Sequence, residues 1–286
     1  MVQNNGVAHD YASRRCVEAS PRLLVFAVTV IMAVGSCTPS ESTPQPTQGM
    51  VFVPVGEFIM GSTVGLADEQ PVHTVFLDAF WIDQTEVTNA QYHQCVRAGA
   101  CRQPYVTNNF DDPAYSTHPV ISVSWEDAKA YCAWAGRRLP TEAEWEKAAS
   151  WDPVDNAKRV YPWGNEFDFQ KGNFEGSSCD GYETTAPTGS FPSGASAYGA
   201  LDMAGNVWEW VNDAFLETDP FGERPNYYAV SPSSNPQGVD PSITVYRVMR
   251  GGAWRMNFGN GRAAYRLWFG FSDAYDFVGF RCAWSE

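Results

Sequence analysis

From Trp151 to Glu286 the chain carries no helical periodicity. Gly, Pro and aromatic side chains recur there at short, uneven intervals. A segment of that kind cannot bury a continuous stripe on a helix, so it must fold as short strands and loops laid over a core. The whole chain of 286 residues holds 24 Gly and 19 Pro, and 14% of it is aromatic, which matches many turns with rings packed between them. At 44% hydrophobic and 18% charged it has the apolar mass for a real core and too few charges for extensive disorder. The formal charge is −14 with no basic block, which excludes a phosphate-tracking nucleic-acid binder. An acidic face attracts cations or basic partners instead.

The first half reads differently. Met50–Met60 and Val72–Ile82 alternate like strands, the first broken by Pro54 and Gly56. Three helices come next. Thr88 caps Asn89–Arg97, which stops at Gly99, and Ser124 with Asp127 starts Trp125–Ala135, ended by Gly136. Thr141 with Glu144 forms a capping box for a helix running to about Ser150. No repeat and no internal linker interrupts residues 50–286, which read as one α+β domain rich in irregular structure.

Ahead of that domain lies an address. Arg14, Arg15 and Arg22 precede the apolar run Leu23–Val34, which is shorter than the roughly 20 residues of a membrane span and fits a secretory signal over residues 1–36. Val34-Gly35-Ser36-Cys37 resembles the lipobox of bacterial lipoproteins, in which Cys37 is lipidated and becomes the first mature residue. Thr38 after the Cys favours the outer membrane. Residues 37–49 then form a Pro/Ser/Thr-rich tether. The expected location is the bacterial cell envelope, as an outer-membrane lipoprotein facing the periplasm or the exterior.

Several phrases recur together in fixed order: Glu86-Val87-Thr88-Asn89, Arg137–Glu146, Tyr161-Pro162-Trp163-Gly164, Asp202–Trp210, Arg250-Gly251-Gly252 and Gly279-Phe280-Arg281-Cys282. The set resembles the formylglycine-generating enzyme family, also called sulfatase-modifying factors, over the whole of residues 50–286. The resemblance implies a single compact α+β domain with little regular secondary structure, related to C-type lectins.

It also implies copper-dependent oxidation of a sulfatase Cys, with copper(I) held by two thiolates between the Arg-Gly-Gly motif and an arginine-rich segment. Here that window, Arg250–Arg262, has no Cys, and none lies between Cys179 and Cys282. Copper(I) needs soft ligands, and the thioether of Met256 alone is not a site, so copper is not expected and no catalytic residue is assigned. A second branch of the superfamily resembles three-histidine iron enzymes, but His73, His93 and His118 lack that branch's spacing and read as packing residues.

Calcium positions fare better. The resemblance places one structural site at Asn173, Phe174, Asp180 and Tyr182 and a second at Asp202, Gly205, Val207 and Glu209. Oxygen-rich loops of this kind supply the six to eight hard ligands calcium takes. The family position pairs Cys132 with Cys282; Cys95 and Cys101 flank a helix end that can bring them together, which leaves Cys179 without an assigned partner.

The family cleft would be formed here by Trp254, Arg255, Asn257, Asn260, Arg262 and Arg266, with Trp268 beside them. Two readings are open. One is a non-catalytic accessory lipoprotein that binds a protein, peptide or glycan. The other is an oxidoreductase-like or other enzyme using the same cleft. Arg262 and Arg266 read first as structural ties, since each guanidinium offers five donors to irregular loops.

Overall fold

The computed structural model describes residues 49–175, 181–216 and 227–286, all within one unit, Gln45–Glu286. Cys37, Cys179 and Asp180, with the signal and most of the tether, lie outside the described residues.

Strands β1 (Met50–Val53) and β2 (Gly56–Met60) are split at Pro54, which has no N–H for a ladder. Next come β3 (His73–Leu77) and β4 (Phe80–Asp83). Helix α1 (Asn89–Arg97) opens at Thr88, whose side chain accepts from the Gln91 N–H while the Gln91 side chain accepts from the Thr88 N–H. The cap at Thr88 was expected; the reciprocal bond to Gln91 makes it a full box. A single turn, α2 (Asn108–Asp111), precedes α3 (Trp125–Trp134) and α4 (Glu142–Ser150). The expected boxes at Ser124 and Thr141 are both present.

Beyond Ser150, regular structure among the described residues is short. It comprises β5 (Trp151–Asp152), β6 (Ala157–Lys158), β7 (Trp208–Ala214), α5 (Tyr227–Val230), β8 (Tyr246–Arg250), β9 (Leu267–Gly270), β10 (Val278–Phe280) and β11 (Ala283–Trp284), with 3-10 turns between them.

Two sheets organise the core. One has the order β1-β4-β11, antiparallel throughout, and the other β10-β7-β8-β9, with β10 parallel to β7. In the first, Val53, Phe80, Ile82 and Ala283 turn inward and are buried, while Phe52, Trp81 and Trp284 of the alternate row are exposed or half-buried. Helix α4 packs between the β2-β3 hairpin and strands β7 and β8 of the larger sheet, and all nine of its residues are buried. Trp145 on α4 joins Phe58, Phe80, Val211 and Val248 in one apolar cluster. Tyr92, Trp125, Trp208, Trp210 and Phe280 form a second, between α1, α3 and the larger sheet.

A helix buried on every side has nowhere to send its charges, so each is paired. Glu142 takes two bonds from Arg266, at 2.6 and 2.8 Å, and Glu144 takes two from Arg138, both 2.6 Å. Glu146 binds Arg250 and Lys158, and that pair of cations holds its carboxyl down to about 2 against the pull of burial. Lys147 donates to the carbonyls of Pro54 and Gly56, each at 2.8 Å, and burial pushes its ammonium down to about 8.

Disulfides join Cys95 to Cys101, six residues apart, and Cys132 on α3 to Cys282, 150 residues apart. In the loop-entropy account the long bridge contributes about 5 kcal/mol and the short one about 2 kcal/mol. Replacing Cys132 and Cys282 together by Ala should therefore lower the urea midpoint at least twice as far as replacing Cys95 and Cys101. An equal or reversed order would defeat that account.

Candidate functional site

The loop before β7 is built from residues that tolerate left-handed backbone. Asp202, Gly205 and Asn206 have φ of 56°, 88° and 63°. A Cβ on Gly205 would sit 2.5 Å from the Asn173 carbonyl oxygen, so Gly is required where the two loops touch. Asn206 stitches them together. Its N–H donates to the Asn173 carbonyl at 2.9 Å, its Oδ1 accepts from the Ala186 N–H at 2.9 Å, and its Nδ2 donates to Glu86 Oε1 at 2.9 Å.

Of the positions the resemblance implies for calcium, Asn173 and Phe174 are buried, Tyr182 is 38% exposed, and Asp180 lies outside the described residues. Asp202 Oδ2 accepts from the Gly189 N–H at 2.6 Å. Glu209 is fully engaged. Its oxygens take two bonds from Arg281, at 2.6 and 2.7 Å, and one from the Trp145 indole at 2.9 Å. Glu86, for which the sequence by itself suggested no role, is a further carboxyl beside Asp202. Glu86 is 1% exposed, and its carboxyl meets that of Asp202, with no other N–H or O–H among the described residues donating to Oε2.

Burial, and then the charge of Asp202, push the Glu86 carboxyl well up. Burial raises Asp202 as well. Three buried carboxyls, Glu86, Asp202 and Glu209, thus share one guanidinium, Arg281. Unbalanced buried charge of that kind calls for a proton or a cation.

The expected cleft lies further along. Gly251 and Gly252, at φ 102° and 80°, turn the chain out of β8. Asn257 then caps a 3-10 turn, accepting from the Gly259 N–H at 3.0 Å and, through its carbonyl, from the Asn260 N–H at 3.1 Å. Arg262 binds both oxygens of Glu69 at 2.6 Å and the Val64 carbonyl at 2.8 Å. Arg266 is 2% exposed, holds Glu142 and the Asp68 carbonyl, and lies 4.3 Å over the Tyr228 ring. Trp268 stacks on Phe215 at 3.9 Å. These side chains tie the fold together.

Arg255 stands apart. It lies over Trp254 and Phe277, at 5.6 and 5.0 Å, and pairs with the half-exposed Asp276. The indole N–H groups of Trp208 and Trp254 are buried without an acceptor. They come from adjoining segments, because the Trp254 N–H donates to the Asn206 carbonyl at 2.9 Å.

The cysteines are mostly committed. Of the five Cys in residues 50–286, four form the two disulfides, so Cys179, which lies outside the described residues, is the one Cys left over. One thiol cannot make a two-thiolate site. The three His do not converge. His93 stacks on Phe110 at 3.6 Å, His73 meets Tyr228 edge-on at 5.0 Å, and His118 hydrogen-bonds Thr185 at 3.0 Å.

Comparison with known proteins places this geometry. Residues 36–286 match the family model described as the sulfatase-modifying factor enzyme 1-like domain. The formylglycine-generating enzyme of Streptomyces coelicolor is 36% identical over 286 aligned residues, covering 78% of this chain and 86% of that one. A Chlamydia caviae protein named serine/threonine-protein kinase pkn1 is 37% identical over 85% of this chain, which spans 39% of that relative's length. Among solved structures, PvdO from Pseudomonas aeruginosa is 29% identical with a TM-score of 0.66, over 82% of this chain and 93% of that one. The mixed architecture of few helices and curled sheets is the C-type-lectin-like one shared by these domains.

Proposed function

The chain belongs to the sulfatase-modifying factor enzyme 1-like family, and from that premise we propose that it is an exported, lipid-anchored member that binds a protein, peptide or glycan partner and does not generate formylglycine. The observation that carries this reading is the thiol count. With Cys95, Cys101, Cys132 and Cys282 paired, the two-thiolate copper site of the founding enzymes cannot be assembled in this domain. What the cleft retains suits binding. Arg255 offers a half-exposed guanidinium over the rings of Trp254 and Phe277. A partner carrying carbonyl or hydroxyl acceptors would bond that guanidinium.

A second reading, an enzyme of other chemistry in the same cleft, draws on the 36% identity to a formylglycine-generating enzyme over 86% of its length. Incubation with a Cys-x-Pro-x-Arg peptide, copper and a thiol reductant separates the two. The peptide should keep its thiol by mass spectrometry, and copper-dependent multiple-turnover product would overturn the binding reading.

The buried acid cluster supports a structural cation, and calcium is the ion its donors suit. Glu86 and Asp202 would hold it with the carbonyls of Gly205 and Val207, an all-oxygen set. The ion would neutralise the carboxylates that Arg281 leaves unbalanced and fix the loop before β7. Calcium added to chelator-treated protein should raise the melting temperature. Glu86→Gln and Asp202→Ala should each shrink that rise, and an unchanged melting temperature up to millimolar calcium would mean that the acids share protons instead.

Cys37 would carry the lipid that holds the domain at the membrane. Labelled fatty acid should enter the wild-type chain, and Cys37→Ser should release the protein from membranes. Failure of the wild type to take up label would remove the anchor from this reading.

A further inference from the structure

The outward row of the β1-β4-β11 sheet is aromatic. Phe52 stands opposite Trp81 in the β1–β4 register, and Trp284 stands opposite Trp81 in the β11–β4 register. Phe52 and Trp81 rings lie 4.9 Å apart and tilted by 49°, and Phe52 is 47% exposed. A cavity of about 680 Å³ opens along this row. None of its lining residues belongs to the cleft around Trp254, so the groove is a separate site and does not depend on the function proposed for that cleft.

Charge defines what the groove can take. Arg138 is the single basic residue among those lining it, and Glu144 already matches it with two bonds of 2.6 Å. That leaves two acids, Asp78 and Glu286, both exposed. Asp78 is held in place by Asn235, whose Nδ2 donates to the carboxylate at 2.9 Å and whose Oδ1 accepts from the Asp78 N–H at 2.9 Å. An amide fixes a carboxylate without cancelling its charge. The wall is therefore aromatic and negative, on a chain of net charge −14.

We propose that this groove docks a basic peptide segment, with an Arg or Lys side chain lying against Phe52 and Trp81 and its charge facing Asp78. Ring faces attract cations through their quadrupole, and a guanidinium or ammonium on an apolar stem gains from both the rings and the acids. A neutral glycan would use the rings but gain nothing from the charge, and an anionic ligand would be repelled. The volume lies within the range of ligand pockets and admits a short peptide segment.

Titration with a tetra-arginine peptide, followed by intrinsic tryptophan fluorescence, tests this, with tetra-glutamate and a neutral cello-oligosaccharide as controls. The arginine peptide alone should bind. Phe52→Ala, at a solvent-facing position, should weaken it about five-fold. Asp78→Asn, which keeps both amide bonds to Asn235, should weaken it about three-fold and flatten its salt dependence. Binding equally strong in both variants would reduce the effect to diffuse attraction by an acidic protein and overturn the site. So would absence of binding, or saccharide binding without a preference for the cationic peptide.

Discussion

The structure depends on buried arginine–carboxylate pairs around α4. This helix has no solvent face, yet it carries Glu142, Glu144, Glu146 and Lys147. Removing such charges from water costs several kcal/mol each, and only close, multiply bonded partners offset that. The partners arrive from far along the chain. Arg250 enters from β8, Arg266 from the segment before β9, and Lys158 from β6. Taking away one member would strand the other, at a cost of about 3–5 kcal/mol.

The same arginines solve the problem posed by a loop-rich fold. A carbonyl outside a ladder needs a donor once it is buried. Arg250 supplies donors to the carbonyls of Ala263, Ala264 and Tyr265, and Arg281 to those of Asp83, Gln84 and Leu201. Arg281 also closes on Glu209 and so ties the C-terminal strands to the centre of the larger sheet. Irregular backbone is thereby held by side chains in place of strands, which is how a domain with short elements keeps loops in register.

That economy shapes the candidate site. Arg262 and Arg266 are consumed by Glu69 and Glu142, so Arg255, paired only with the exposed Asp276, is the arginine of this segment left within reach of solvent. Arg281 cannot balance Glu209, Asp202 and Glu86 together as carboxylates, and burial pushes the Glu86 and Asp202 carboxyls up beside the loop before β7. The domain's framework is thus common to its relatives, while the thiol chemistry of the founding enzymes is absent from this chain's cleft window.

Local elements were legible in the sequence because their signals are local. The boxes at Ser124 and Thr141, the break at Pro54 and the lack of helical periodicity after Ser150 each depend on residues a few positions apart. The family motifs likewise carried the fold and the Cys132–Cys282 pairing. The burial of α4 was not legible, since a run of alternating Glu and Ala reads as a solvated helix until Arg250 and Arg266 are brought to it across more than 100 residues. Nor was the meeting of Glu86 with Asp202, since Glu86 is brought to the loop before β7 by Asn206 from 120 positions away. The aromatic row of Phe52, Trp81 and Trp284 depends on strand register, and a shift of one residue would have turned it into the core. Sequence determined which groups were available and which turns could form; tertiary structure decided which charges met, because Coulomb and hydrogen-bond energies depend on distance in space and not along the chain.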